Sequence, residues 1–237
     1  MLDLRCSSIV RNFLRTTGYV ILPQRPALMP TASFPTQMQQ AMIAVEHLIA
    51  TGVHPRNLSI VGDSAGAQII LSLLSDILHP SPYTKRTLRL VAPIKGVYLM
   101  SPWICFNSSS GSFRANPKRE VFSADSIGAI GQRVLSTLTE EQRPYAESIS
   151  APDGFFVGLD KVVDRLLITA GSGELFRDDI TKFSRILDRT KSNFTFVVQE
   201  GGVHDDPIID ILVRLPIQDM GSLTPLIIHW LAGGFTS

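Results

Sequence analysis

Cysteine is scarce in this chain: Cys6 and Cys105 are the only two among 237 residues. Two thiols cannot make a disulfide scaffold, and neither stands in a CxxC pair or at a Cys/His metal spacing, so a reducing compartment is expected. A charge excess of either sign is also lacking. Lys plus Arg is 22 against 21 for Asp plus Glu, a net +1, which gives no global field to draw in nucleic acid or an anionic membrane surface. No nucleic-acid partner is expected. Long apolar runs are missing too, and nothing approaches the ~18 apolar residues of a membrane span. The opening MLDLRCSSIVRNFLRTTGYVIL is interrupted by Asp3, Arg5, Arg11 and Arg15, so it has no apolar core of a secretory signal. These absences set the expectation of a cytoplasmic protein. In that setting the sequons at Asn57, Asn107 and Asn193 carry no weight.

What the chain does contain is alternation. Its length suits one α/β domain with a sizeable core, and no internal repeat interrupts it. Leu4, Val10, Phe13 and Leu14 fall near helical spacing before Gly18, and YVIL at 19–22 reads as a buried strand. After a Pro-rich connection over 23–35, Met38, Ala41, Met42, Val45, Leu48 and Ile49 form one apolar stripe, predicting a helix over 36–51 that stops at Gly52. Strands are predicted at 58–62, 96–101, 165–171 and 193–200, and helices at 65–78, 178–190 and 222–232. Apolar strands alternating with helices imply a mainly parallel sheet covered on both faces. Residues 103–160 break the pattern. They are Ser-rich at first, with a helix expected after Ser123, and read as an insertion over the strand ends, a lid or substrate-pocket segment.

The stretch LSIVGDSAGAQII, 58–70, sets Ser64 between Gly62 and Gly66 where a predicted strand passes into a predicted helix. That is the setting of a nucleophile elbow, in which the glycines permit a sharp turn and close packing beside the serine. The helix start leaves free N–H groups and a positive dipole end beside Ser64, suited to an oxyanion, with the Ala65 N–H as first donor. An N-cap serine in an ordinary Gly-rich turn is the structural alternative.

A serine hydroxyl needs a base at neutral pH, and the base needs an acid to orient it. Of five histidines, His54 and His79 precede prolines at helix ends, and His229 lies within the last predicted helix. His204 instead follows FVVQEGG, on a loop at the carboxyl end of a strand, where open α/β sheets place their sites. The acid should come from RLLITAGSGELFRDDI. Glu174 stands closest to that strand end and is the first choice, with Asp178 the alternative; Asp178 and Asp179 also suit a helix N-terminus. The order Ser, acid, His is that of α/β-hydrolases.

At this point the residues resemble the hormone-sensitive-lipase-like branch of the α/β-hydrolase fold, the esterase/lipase group called alpha/beta hydrolase fold-3. GDSAGA (62–67) is similar to that branch's GDSAGG, and MPTASFPTQMQQAMIAVEHL (29–48) to its APE-x-x-FP segment. SPW (101–103) with SFRAN (112–116) resembles its pocket segment, GELFRDDI its DPLRDE acid motif with Glu174 at the aspartate position, and EGGVHDDPI its histidine loop with His204. The family's HGGG oxyanion motif, which lies upstream of the APE segment, has no counterpart in this sequence. The resemblance therefore implies an N-terminally shortened α/β-hydrolase, without the first strands of the family fold.

The expected function is cleavage of a carboxylic ester or lactone of a small molecule, with short or medium acyl groups, through an acyl-enzyme on Ser64. No metal or organic cofactor is called for. Asp63, Trp103, Phe106 and Phe113 are assigned to the substrate pocket, with Phe155 and Phe156 beside them, although each aromatic taken singly is more often core. The alternatives are a catalytically impaired or non-catalytic small-molecule-binding protein of the same fold, and amidase or peptidase chemistry.

Overall fold

Strands that are apolar on both sides need cover on both faces, and the helices between them supply it. The computed structural model describes residues 31–85, 88–190 and 192–234. The helix expected near 4–17, the strand at 19–22 and most of the Pro-rich connection lie outside the described residues. Four strands, β1 (Ser59–Asp63), β2 (Ile94–Met100), β3 (Val163–Gly171) and β4 (Phe194–Gln199), form one parallel sheet in the order β1-β2-β3-β4. Register aligns the carboxyl ends: Asp63 pairs with Met100, Met100 with Thr169, and Gly171 with Gln199.

The period-two alternation of the strands divides the core. Val97, Leu99, Leu166, Ile168 and Ala170 face a large apolar cluster shared with Ala67, Leu71 and Leu74 of α2 (Ser64–Leu78) and Ile180, Phe183 and Leu187 of α6 (Arg177–Asp188). Tyr98, Met100 and Leu167 point the other way, against Leu223 and Ile227 of α8 (Leu223–Gly233). The stripe predicted over 36–51 forms α1 (Thr36–Ala50), whose Met42 and Val45 meet Leu73 of α2.

The segment 103–160 contains α3 (Gly111–Ala115), α4 (Ala124–Leu135) and α5 (Arg143–Ala146) with short 3-10 turns. Ser123 caps α4 as expected, its Oγ accepting from the Ser126 N–H at 3.1 Å. Trp103, Ile104, Phe106, Phe113, Phe156 and Leu159 all enter the main core, so the segment is packed into the sheet layer, not merely laid over it. α7 (Asp206–Leu212) follows β4. None of the described helices is long and apolar enough to cross a membrane.

Candidate active site

The sequence places Ser64 where β1 stops and α2 starts, and the backbone there is strained: Ser64 has φ +51°, the left-handed region that costs an L-residue about 1–3 kcal/mol. Ser64 is half-buried there. Gly62 is demanded by packing, since a Cβ would lie 2.6 Å from Ile70 Cδ1 and 2.8 Å from the Ala67 nitrogen. At Gly66 the expected close packing is absent, the nearest atom to an added Cβ being Asp63 Oδ1 at 4.0 Å. The Ser64 carbonyl is fixed by the Trp103 N–H at 3.1 Å. Ala65 is exposed in the first turn of α2, where backbone N–H groups have no intrahelical partner.

The loops after β3 and β4 are stitched into one unit. Ser172 N–H donates to the Gln199 carbonyl and Gly173 N–H to the Gly202 carbonyl, each at 2.8 Å, and Ser172 Oγ accepts from Gly201 N–H at 2.8 Å. The approach is so close at Gly171 that a Cβ there would collide with the Gly202 carbonyl. Asn116 holds the first loop from outside, donating to the carbonyls of Ser172 (3.2 Å) and Glu174 (3.1 Å). This stitching brings Glu174 to His204.

Glu174 is fully buried, His204 is 4% exposed, and Glu174 Oε2 lies 3.6 Å from His204 Nδ1. That distance is an electrostatic contact, longer than a hydrogen bond. On the opposite edge of the ring, His204 Nε2 lies 3.2 Å from Asp205 Oδ2. Asp205 takes φ +53°, and its N–H donates to Ser101 Oγ at 3.2 Å, Ser101 itself sitting at φ +42° just after β2. The imidazole meets Phe122 at 4.8 Å and Phe176 at 5.1 Å between ring centres, both edge-to-face, and the two phenyl rings touch each other at 5.6 Å.

Burial alone would push the His204 imidazole down, but Glu174, Asp205 and Glu120 together outweigh it and hold its pKa above the ordinary value. Burial pushes Glu174 up, against the pull of His204 and the Ser101 hydroxyl. Asp205 is pushed up to about 7, first by burial and then by the charges of Asp63, Glu174 and Glu120, against the pull of His204. Asp63, exposed and next to Ser64, thus acts on Asp205.

Asp178, the alternative acid, is engaged elsewhere, its Oδ1 2.8 Å from Arg177 Nη2 and 2.9 Å from Nε. Asp179 is pushed up to about 6, chiefly by burial. Trp103, Phe106 and Phe113, assigned to the substrate pocket, are each more than nine-tenths buried in the core. Trp103 stacks on Phe176 with 6.0 Å between centres, and Phe176 meets His204, so these rings back the histidine. Phe156 is likewise core, while Phe155 lies 4.3 Å from the His79 ring, which accounts for one of the loop histidines.

Sequence reasoning missed Ser101, Glu120 and Asp205 as neighbours of the histidine. Asp205 carried a signal, its adjacency to His204, whereas Glu120 sits in an irregular stretch without one. Among the described residues, Glu120, Glu174 and His204 form a group of potential metal donors whose ligating atoms lie within 4.8 Å of one another. Glu120 already accepts backbone N–H groups with both oxygens and Glu174 is fully buried, an arrangement suited to charge organisation around an imidazole.

A nucleophile-elbow turn on a parallel sheet, with an acid and a histidine on the two loops beyond it, is the layout of an α/β-hydrolase. The chain belongs to the alpha/beta hydrolase fold family, whose model matches residues 6–206. It is 26% identical over 181 residues to a provisionally named steryl acetyl hydrolase, mug81 of Schizosaccharomyces pombe, covering 73% of this chain and 45% of that protein. It is 27% identical over 187 residues to an esterase of Acinetobacter venetianus, covering 79% and 56% respectively. The chain thus spans about half the length of these curated relatives. A solved esterase/lipase from an uncultured bacterium shares the fold with a TM-score of 0.76 at 20% identity, over 97% of this chain and 71% of that one.

Proposed function

We propose that the chain is a serine hydrolase of carboxylic esters, acting on a small-molecule substrate with a short acyl group, acetyl being the first to test. The observation that carries this is the strained Ser64 elbow at the carboxyl end of the same parallel strands whose following loops hold the buried Glu174–His204 pair. In this reading Ser64 Oγ attacks the ester carbonyl while His204 Nε2 takes its proton, and Glu174 stabilises the imidazolium. The Ala65 N–H supports the oxyanion. Collapse of the tetrahedral intermediate expels the alcohol, which receives the proton from His204. Water, deprotonated by His204, then attacks the acyl-Ser64 ester and releases the carboxylic acid. These steps call on no metal or cofactor. The acetyl preference rests on two relatives named for acetyl removal, and the choice of an ester over an amide on the relative named an esterase. Near-zero net charge and scarce cysteine support a cytoplasmic setting.

A second reading, a catalytically impaired small-molecule binder of this fold, is favoured by Asp205 at the His204 edge that must receive the serine proton. Hydrolysis of p-nitrophenyl acetate and p-nitrophenyl butyrate by wild type and Ser64→Ala separates the readings. The ester-hydrolase reading expects turnover above background, faster with acetate and lost in Ser64→Ala. Equal rates in the two proteins contradict it.

A further inference from the structure

Glu120 lies in the irregular stretch between α3 and α4, half-buried, and neither the elbow nor the two catalytic loops contain it. Its carboxylate nevertheless ties those loops together. Oε1 accepts from the backbone N–H of His204 at 3.1 Å, and Oε2 accepts from the backbone N–H of Leu175, next to Glu174, at 3.0 Å. Oε1 also accepts from Val121 N–H at 2.7 Å, which fixes the carboxylate in place. Two residues on, Phe122 lays its ring against both His204 and Phe176. One short segment of the insertion therefore clamps the acid and the base through the backbone and covers the imidazole.

We infer that Glu120 is a positioning residue: its carboxylate sets the separation of Glu174 and His204 and adds a negative charge that favours the imidazolium. This rests on the reading of Ser64, His204 and Glu174 as the catalytic groups. The charge is one of several facing His204, with Glu174 on Nδ1, Asp205 on Nε2 and Asp63 beyond Asp205; Phe122 and Phe176 present uncharged rings. The geometry separates its role from theirs. Glu120 alone of these side chains bonds a backbone N–H in each of the two loops, so it acts on their spacing as well as on charge.

The test uses the full chain as Glu120→Gln and Glu120→Ala, with folding checked by thermal melts. Glu120→Gln keeps the shape but loses the charge and one of the two acceptors. Two readouts are taken. The His204 ring is titrated by 1H–15N NMR in an otherwise wild-type protein and in Ser64→Ala, and kcat and KM for p-nitrophenyl acetate are measured across pH. The expected result is an imidazole pKa lower by about 0.5–1 unit in Glu120→Gln, with plateau kcat down about 10- to 100-fold and KM changed less than about twofold. A folded Glu120→Gln with an unmoved imidazole titration overturns the inference, as does an unmoved plateau kcat. If Glu120→Ala does not fold, Glu120→Gln still decides. If the wild type has no Ser64-dependent turnover, the catalytic reading falls, while the NMR titration in Ser64→Ala still tests the hold of Glu120 on His204.

Discussion

His204 sits between two carboxylates with opposite consequences for a base. Glu174 on Nδ1 orients the ring and stabilises its charged form, whereas Asp205 on Nε2 faces the edge through which a serine proton must arrive. Both raise the pKa of the imidazole, and a general base works only when neutral. Activity is therefore expected to rise with pH through a limb lying above the ordinary histidine value. In Asp205→Asn one of the raising charges is gone, so the limb of kcat/KM moves to lower pH; a profile that stays in place or moves up contradicts this assignment. Glu174→Ala is expected to lose about 10³–10⁴ in kcat, and Asp178→Asn to stay within about threefold, since Asp178 is paired with Arg177. Steady-state kinetics of the two variants check this, and the reverse pattern would make Asp178 the acid. At this scale the strand-end positions of Ser64, Glu174 and His204 were legible because each follows a strand with its own turn signal. Glu120 was not, because its long-range hydrogen bonds leave no periodic trace, and adjacency to His204 was the sole sign of Asp205, whose place depends on a left-handed backbone.

At the scale of elements, the site is a product of loop packing. The turn after β3 and the Gly-Gly turn after β4 interlock through three backbone N–H donors, and no side chain fits between Gly171 and Gly202. Gly171→Ala is thus expected to destabilise the fold by about 1–3 kcal/mol and to lower kcat by separating Glu174 from His204. Gly233→Ala is the control: a Cβ there meets nothing within 4 Å, and its melting temperature should stay level or rise slightly. Thermal melts of the two variants make the comparison, and equal melting temperatures would remove the interlock from the account. Helices and strands were readable to within a few residues because their apolar periods survive burial on a parallel sheet. β3 begins two residues earlier than expected, at Val163, since Asp164 breaks the apolar run while the backbone ladder continues past it. The insertion was harder to read. Its Ser-rich start disguised Trp103, Phe106 and Phe113, whose burial comes from tertiary packing without local periodicity.

Across the whole molecule, the parallel sheet carries three chemical groups from separate parts of the chain at the carboxyl ends of β1, β3 and β4, with apolar layers on both faces of the sheet. The fold was legible as β–α alternation and the family as a set of motifs, of which HGGG is missing from the sequence. The family model matches residues 6–206, and the chain spans about half the length of the curated relatives it matches. Its central claim is that Ser64 is an activated nucleophile. Labelling of the folded wild type with a fluorophosphonate probe, followed by peptide mass mapping, tests that most directly. The account predicts one adduct on Ser64, strongly slowed in His204→Ala and absent in Ser64→Ala. No adduct on the folded wild type, or an adduct on another residue that persists in Ser64→Ala, would contradict it.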